Sequence, residues 1–79
     1  MYSVIEEYKG RRIHVTLFTN IVDECETAEF SDDQTKDLEL AVIQRDADPG
    51  NLYLAVEGEV DVSFVEWAID WVRRRWGMK

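Results

Sequence analysis

The stretch SFVEWAIDWVRRRWG, residues 63–77, decides how this 79-residue chain can fold. Its apolar side chains recur every three or four residues, which is the pattern of a helix with one apolar side. At about 100° per residue, the apolar arc is roughly 200° wide, about twice the stripe that a surface helix needs. Small Ala68 lies at the centre of the arc and allows close approach to a sheet. We therefore predict a helix over residues 64–76 that packs across a β-sheet.

The two apolar flanks of this arc cannot both be buried by the same surface. One flank can bury against the strands of the sheet, and the other must be covered by a loop, by residues 20–36 or by another molecule. An aromatic edge left in solvent would mark an interaction surface. The flanks consist of Phe64, Trp67 and Trp71 on one side and of Val65, Ile69, Val72 and Trp76 on the other.

Both ends of the predicted helix carry termination signals. Ser63 with Glu66 three residues later has the spacing of a capping box, and Val62 with Trp67 has that of a hydrophobic staple. Gly77 stands where a helix commonly ends on a residue of left-handed conformation. These signals predict a helix that is held at both ends by its own local contacts.

The segment YSVIEEYKGRRIHVTLF, residues 2–18, predicts a β-hairpin. Lys9-Gly10 has the length of a two-residue loop, in which glycine supplies the positive φ that such loops need. Pairing Tyr8 with Arg11 then sets the register of the two strands. One face of the hairpin is apolar and is expected to face the core; it carries Tyr2, Val4, Ile13, Val15 and Leu17.

The middle of the chain is less regular. LELAVIQR, residues 38–45, is predicted as a buried strand, with a helix as the alternative. DADPGN, residues 46–51, is predicted as a turn because Pro49-Gly50 interrupts regular structure. Residues 52–58 alternate like a second strand, whereas CETAEF, residues 25–30, is compatible with a short strand or a loop.

Together these elements predict one α+β domain over residues 1–79. Its antiparallel sheet has four to five strands built from two hairpins, and one C-terminal helix packs on one face. A chain of this length buries only about 60–65% of its unfolded surface, so each core side chain matters. The predicted segments are a hairpin over residues 2–19, an acidic segment over 23–37, a hairpin over 38–58 and the helix over 64–76.

The net charge of −8 comes from one part of the sequence. Residues 23–48 hold ten acidic and two basic residues, and the remainder holds seven of each. This segment would repel phosphates, so direct binding to nucleic acid is disfavoured, whereas a basic partner would be attracted and steered. We predict that it binds a partner through Asp23, Glu24, Glu26, Glu29, Asp32, Asp33 and Asp37.

The sequence contains no pattern typical of an enzyme or of a metal site. His14 and Cys25 each occur once, whereas a structural zinc site takes four such ligands, and a lone pair of this kind does not indicate a nucleophile with its base. Asp46, Asp48 and Glu57 have the spacing of calcium-loop ligands, but the glycine of the sharp turn is lacking. We expect no catalytic residue, no metal ligand and no cofactor.

Two features bear on the cellular compartment. The single cysteine cannot form an internal disulfide, which fits a reducing cytosol. No apolar run nears the ~18 residues that would span a bilayer. We expect a cytoplasmic protein without membrane attachment.

In size, charge and lack of catalytic residues, the chain resembles small acidic inhibitors encoded by phages, of the anti-CRISPR and anti-restriction type. The resemblance is compositional, rests on residues 23–48 and involves no diagnostic motif. It implies a non-enzymatic inhibitor whose carboxylates imitate nucleic-acid phosphates and occupy the basic groove of a nucleic-acid-handling protein. The alternative is a structural module that forms a homodimer through its Trp-rich helix, with Trp67 and Trp71 at the interface.

Overall fold

Five strands form one antiparallel sheet, and one helix lies across a single face of it. The computed structural model describes residues 1–78. It confirms the predicted α+β fold with a C-terminal helix. The elements are β1 (Tyr2–Tyr8), β2 (Arg11–Asn20), β3 (Cys25–Asp32), β4 (Leu38–Arg45), β5 (Asp48–Val56) and α1 (Val62–Arg75).

Each strand pairs with the next one along the chain, so that β1 and β5 are the two edges of the sheet. The register of the first hairpin is the predicted one, with Tyr8 opposite Arg11 and Val4 opposite Val15. Its loop has φ values of 48° at Lys9 and 79° at Gly10. Positive φ at both loop positions matches the right-handed twist of the strands that the loop joins.

The acidic segment contains the central strand of the sheet. In β3, Ala28 and Phe30 point toward the helix and are fully buried, while Thr27 on the opposite face is also buried. This alternation is that of a strand with both faces partly covered. The ambiguity over CETAEF is therefore resolved in favour of a strand, and Glu26 and Glu29 belong to regular structure.

The predicted turn over residues 46–51 is wrong in its extent. The turn consists of Asp46 and Ala47 alone, and Pro49-Gly50 lies inside β5. Proline has no N–H to donate to a ladder, but an edge strand has one side without a partner, so proline is tolerated there. The pairing of β4 with β5 is irregular between Ile43 and Arg45, just before this turn.

The core lies between the helix and the sheet. The centre of the helical arc is buried, and the sheet contributes residues from its three inner strands. Neighbours across the strands face the helix together, because opposite residues of an antiparallel pair share a face. The buried cluster consists of Ile13, Val15, Leu17, Ala28, Phe30, Leu40, Val42, Phe64, Ala68 and Val72.

Both flanks of the helix pack against the protein's own core: Phe64 and Val72 are fully buried, and the other flank residues are partly buried. Trp67 and Trp71 lie edge-on to Phe30, with ring centroids 5.9 and 5.8 Å away, and Trp67 also packs on Tyr8 at 5.0 Å. The indole N–H of Trp71 donates a hydrogen bond to Glu6 at 2.9 Å. Much of the aromatic surface that seemed to need another molecule is therefore covered from within the chain.

The C-terminal end of the helix agrees with the prediction, whereas the N-terminal end differs from it. The helix begins at Val62 with Asp61 as its N-cap residue and without a side-chain capping hydrogen bond, so the predicted capping box is wrong. Val62 is exposed. At the other end, Gly77 has φ 69°, and the N–H groups of Gly77 and Met78 donate to the carbonyls of Arg74 and Arg73. These two bonds form a Schellman motif, as glycine at this position predicts.

Ser63 has a tertiary partner in place of a capping role. Its hydroxyl shares a 2.7 Å hydrogen bond with the Tyr8 hydroxyl and donates to Asp61. This second bond is the main reason why the pKa of Asp61 lies below its usual value. Ser63 therefore ties the start of the helix to the first hairpin.

Ser63→Ala should lower the free energy of unfolding by about 0.5–1.5 kcal/mol, the usual net value of one hydrogen bond. The loss should be coupled to Tyr8→Phe in a double-mutant cycle, since both variants remove the same bond. With Glu66→Ala it should be additive, because Glu66 is exposed. Urea denaturation of the single and double variants measures both couplings. Coupling of Ser63 to Glu66 without coupling to Tyr8 would show that the capping box forms after all.

Candidate partner-binding surface

The sheet distributes the predicted partner-binding acids over two opposite ends. β3 has eight residues, so its two ends are separated by roughly 23 Å. Asp23 and Glu24 precede the strand, while the acids from residue 32 onward lie at its other end. Glu26 accepts hydrogen bonds from the Thr19 hydroxyl at 2.9 and 3.0 Å, and Glu29 lies on the face away from the helix. The seven carboxylates do not form one continuous patch.

The acids at the far end of β3 have partners inside the protein. Asp32 forms an ion pair with Arg11 at 3.1 Å, and Arg11 also binds Glu39. Asp33 lies 3.5 Å from Arg12 and 3.2 Å from Lys36. Three basic side chains thus offset most of the negative charge here, and of the predicted binding residues Asp37 is the one that stays exposed at this end.

Asp32 also shapes the turn between β3 and β4. One of its carboxylate oxygens accepts hydrogen bonds from the N–H groups of Gln34 at 2.8 Å and Thr35 at 3.1 Å. The bond from Thr35, followed by the side-chain bond from Arg11, holds the pKa of Asp32 below its usual value. This carboxylate stabilises the fold at neutral pH, and its replacement would confuse a loss of binding with a loss of structure.

The other end of the sheet forms a different surface, which we call the acidic turn end and define as residues 21–24 and 46–48. Two turns meet there, because the N–H of Asp46 donates to the carbonyl of Glu24 at 2.9 Å. Asn20 shapes the first turn through two 3.0 Å hydrogen bonds with Asp23. Glu24 has φ 52°, a left-handed conformation that few residues other than glycine adopt readily.

Asp48 is held in its charged form at the start of β5. It accepts hydrogen bonds from the Asn51 side chain at 2.9 Å and from the Tyr53 hydroxyl at 2.7 Å. The bond from Asn51 is the larger cause of the lowered pKa of Asp48, and the same carboxylate raises the pKa of Tyr53. Arg45 lies over the Tyr53 ring, 5.3 Å from its centroid.

The carboxylates of the acidic turn end are free of internal ion pairs. Within residues 1–78, none of Asp23, Glu24, Asp46 and Asp48 lies in a salt bridge, in contrast to Asp32 and Asp33. The charge of this end is therefore available to a partner. The C-terminal part of the helix ends on the same side of the molecule, where Arg75 stacks on Tyr2 at 4.8 Å.

Two aliphatic side chains project from the first turn beside these acids. Ile21 is 84% exposed and Val22 is 91% exposed. A single exposed aliphatic residue is ordinary, but two adjacent ones at the tip of a turn form an apolar contact point with charge around it. Sequence reasoning missed them, although an Ile-Val pair outside any alternating pattern and directly before Asp23-Glu24 was a readable signal.

The remaining side chains that could bind a metal or act in catalysis have hydrogen-bond partners within the fold. His14 shares a 3.0 Å hydrogen bond with Ser3, and Cys25 is buried next to Thr27. In the part of the chain that the structure describes, no three or more His, Cys, Asp or Glu side chains are grouped to hold a metal ion. No helix within residues 1–78 has the length and apolarity to cross a membrane.

Comparison of the chain with protein-family models, with curated proteins and with solved structures finds no match. The interpretation of the acidic turn end therefore depends on its own geometry. That geometry consists of carboxylates without an ion pair among the described residues, two exposed aliphatic side chains, and a sheet that holds both turns.

Proposed function

We propose that this protein is a non-enzymatic binding protein that docks its acidic turn end on a basic surface of a partner protein. The observation that carries the proposal is the combination of unpaired carboxylates with Ile21 and Val22 at 84% and 91% exposure. Carboxylates attract and orient a basic partner over several ångströms. Apolar side chains that become desolvated at the centre of an interface slow dissociation.

The narrower form of the proposal concerns the identity of the partner. A surface rich in Lys and Arg that accepts this end would be one that normally binds nucleic-acid phosphates. Asp23, Glu24 and Asp46 would occupy the positions of those phosphates and block access. The protein would then act in the cytoplasm as an inhibitor of a nucleic-acid-handling protein, in the manner of phage-encoded anti-CRISPR or anti-restriction proteins, and would not itself bind nucleic acid.

The test removes three of the four negative charges of the acidic turn end and leaves the acids at the other end of β3 unchanged. The variant Asp23→Asn, Glu24→Gln, Asp46→Asn changes three exposed side chains, none of which lies in a salt bridge within the described chain. Its matched control is Glu57→Gln, Glu59→Gln, Glu66→Gln, which removes the same charge from exposed positions elsewhere. Partners captured from host lysate by the wild type are identified and purified, and their binding to both variants is measured by surface plasmon resonance.

The triple variant should associate at least tenfold more slowly than the control, and the wild type should lose affinity as salt rises. The wild type should also displace a fluorescent oligonucleotide from the partner, and the triple variant should not. A partner that binds both variants equally would overturn the role of the acidic turn end. A partner that binds the wild type while retaining its oligonucleotide would contradict the mimicry of nucleic acid. The broader proposal of a binding protein would then stand.

The contribution of Ile21 and Val22 is tested separately, through the dissociation rate. Ile21→Ser with Val22→Ser should leave the association rate nearly unchanged and raise the dissociation rate, because these side chains act after encounter. The alternative function, self-association through Trp67 and Trp71, predicts that neither set of turn variants matters. Under that alternative, conservative changes at the two tryptophans would abolish assembly.

A further inference from the structure

The C-terminal end of the helix carries three arginines and borders the acidic turn end. The Gln44 amide lies 3.8 Å from the sulfur of Met78, whose N–H donates to the carbonyl of Arg73 at 2.8 Å. Gln44 precedes Asp46 by two residues, which span no more than about 7 Å of chain. We call residues 73–75 the basic helix end, and these contacts place it beside the β4–β5 turn.

Two of the three arginines lie in no salt bridge within residues 1–78. Arg74 pairs with Asp70 at 3.1 Å, whereas Arg73 and Arg75 are exposed and unpaired in this range. Stacking on Tyr2 at 4.8 Å holds the Arg75 side chain in place. The last carbonyls of the helix accept backbone N–H groups, so they do not use the arginine side chains. The helix dipole favours cations here but leaves their hydrogen-bond donors free for a partner.

Cations beside the acidic turn end limit the surfaces on which this end can dock. A uniformly basic surface would attract the carboxylates and at the same time repel Arg73 and Arg75, and like charges brought together in an interface oppose binding. Arg45 is also exposed near the β4–β5 turn, over the Tyr53 ring on the face of the sheet away from the helix. Positive charge thus borders the acids on both faces of the sheet. The partner that fits this end best has acidic residues next to its basic surface.

We propose that the acidic turn end and the basic helix end form one bipolar docking surface, and that the partner bears a cluster of carboxylates beside its basic, nucleic-acid-binding surface. This assignment rests on the proposed function and narrows the class of partner. Arg73 and Arg75 would pair with the partner's carboxylates, because a guanidinium can donate two parallel hydrogen bonds to one carboxylate. Nucleic acid carries phosphates and no such cations. The two arginines would therefore select one basic protein among many, since basic surfaces that lack the carboxylates repel them.

The sign of a charge effect tests the bipolar docking surface. The variant Arg73→Gln, Arg75→Gln should bind the purely basic peptide decalysine more tightly than the wild type does, because two repelled charges are gone. It should bind the partner that the wild type captures, purified as above, about fivefold or more weakly, because two ion pairs are lost. Surface plasmon resonance at fixed ionic strength measures both affinities, and circular dichroism confirms the fold. Tighter binding of decalysine also shows that the acidic turn end is intact in the variant.

The matched control is Lys9→Gln, Arg12→Gln, which removes two exposed positive charges at the opposite end of the sheet. It should bind the captured partner at least as tightly as the wild type, since the protein becomes more negative. A control that loses as much affinity as the arginine variant would overturn the bipolar docking surface. An arginine variant that binds the partner as tightly as the wild type, or more tightly, would overturn it as well.

The variant Asp23→Asn, Glu24→Gln, Asp46→Asn separates a failure of this surface from a failure of the proposed function. If it associates slowly with the partner while the arginine variant keeps full affinity, the proposed function stands and the bipolar docking surface is wrong. If only the arginine variant loses affinity, or if neither variant does, both proposals are wrong. Loss of binding in both variants, with the control unchanged, is the result that the bipolar docking surface requires.

Discussion

Phe64→Ala should leave the protein largely unfolded near its former melting temperature and only marginally stable at 25 °C. Phe64 is 1% exposed, and its ring lies 5.3 Å from that of Tyr8 and 5.7 Å from that of Trp67. Truncation of a buried phenylalanine costs about 3–5 kcal/mol, since the space it leaves refills only in part. A chain of this size has roughly 4–12 kcal/mol of total stability, so this one change removes a large share.

Thermal denaturation followed by circular dichroism measures the melting temperature, which should fall by more than about 12 °C. Trp76→Ala is the control from the same helix. Trp76 is half-buried near the helix C-terminus, outside the group of packed aromatic rings around Phe30 and Tyr8. Its loss should fall within the usual 0.5–3 kcal/mol for a point change and below that of Phe64. Equal losses at both positions would contradict the packing described for the helix.

The parts of the fold that could be predicted are those governed by neighbouring residues. The first hairpin follows from the Lys9-Gly10 loop and the alternation on either side of it, and its register came out residue by residue. The C-terminal helix stop follows from Gly77 for the same reason, because the Schellman bonds span only a few residues. Local rules decided both, and no distant contact competed with them.

The errors arose where a distant contact decided the outcome. Ser63 matches a capping box locally, but Tyr8, 55 positions away, takes its hydroxyl. Pro49-Gly50 has the composition of a turn, but β5 is an edge strand and tolerates proline inside it. Whether a strand lies at an edge is a property of the whole sheet, and alternation along one strand does not reveal it.

The candidate site was predictable in its charge and not in its position. Counting residues gave the excess of acids between residues 23 and 48. It could not show that Arg11 offsets Asp32 and Glu39, which are 21 and 28 positions away. The acids of the acidic turn end lack an ion pair within residues 1–78, and they include Asp46, which was predicted to lie in a turn and was not among the predicted binding residues. Charge that is summed along a sequence therefore has to be corrected for pairs that form across the sheet.

The second large effect is expected from adding volume at the centre of the helix. Ala68 is fully buried between Phe64 and Val72 on the stripe that faces the sheet. Ala68→Leu adds three carbon atoms at a fully buried position. It should cost about 1–3 kcal/mol, because the helix must move away from the strands or distort its neighbours. Glu66→Leu is the matched control, since it introduces the same side chain at an exposed position of the same helix and should change stability by less than about 0.5 kcal/mol. Urea denaturation measures both variants, and near-UV circular dichroism of the tryptophans reports whether the aromatic packing loosens. A neutral Ala68→Leu would mean that the helix does not lie as close to the sheet as the complete burial of Ala68 requires.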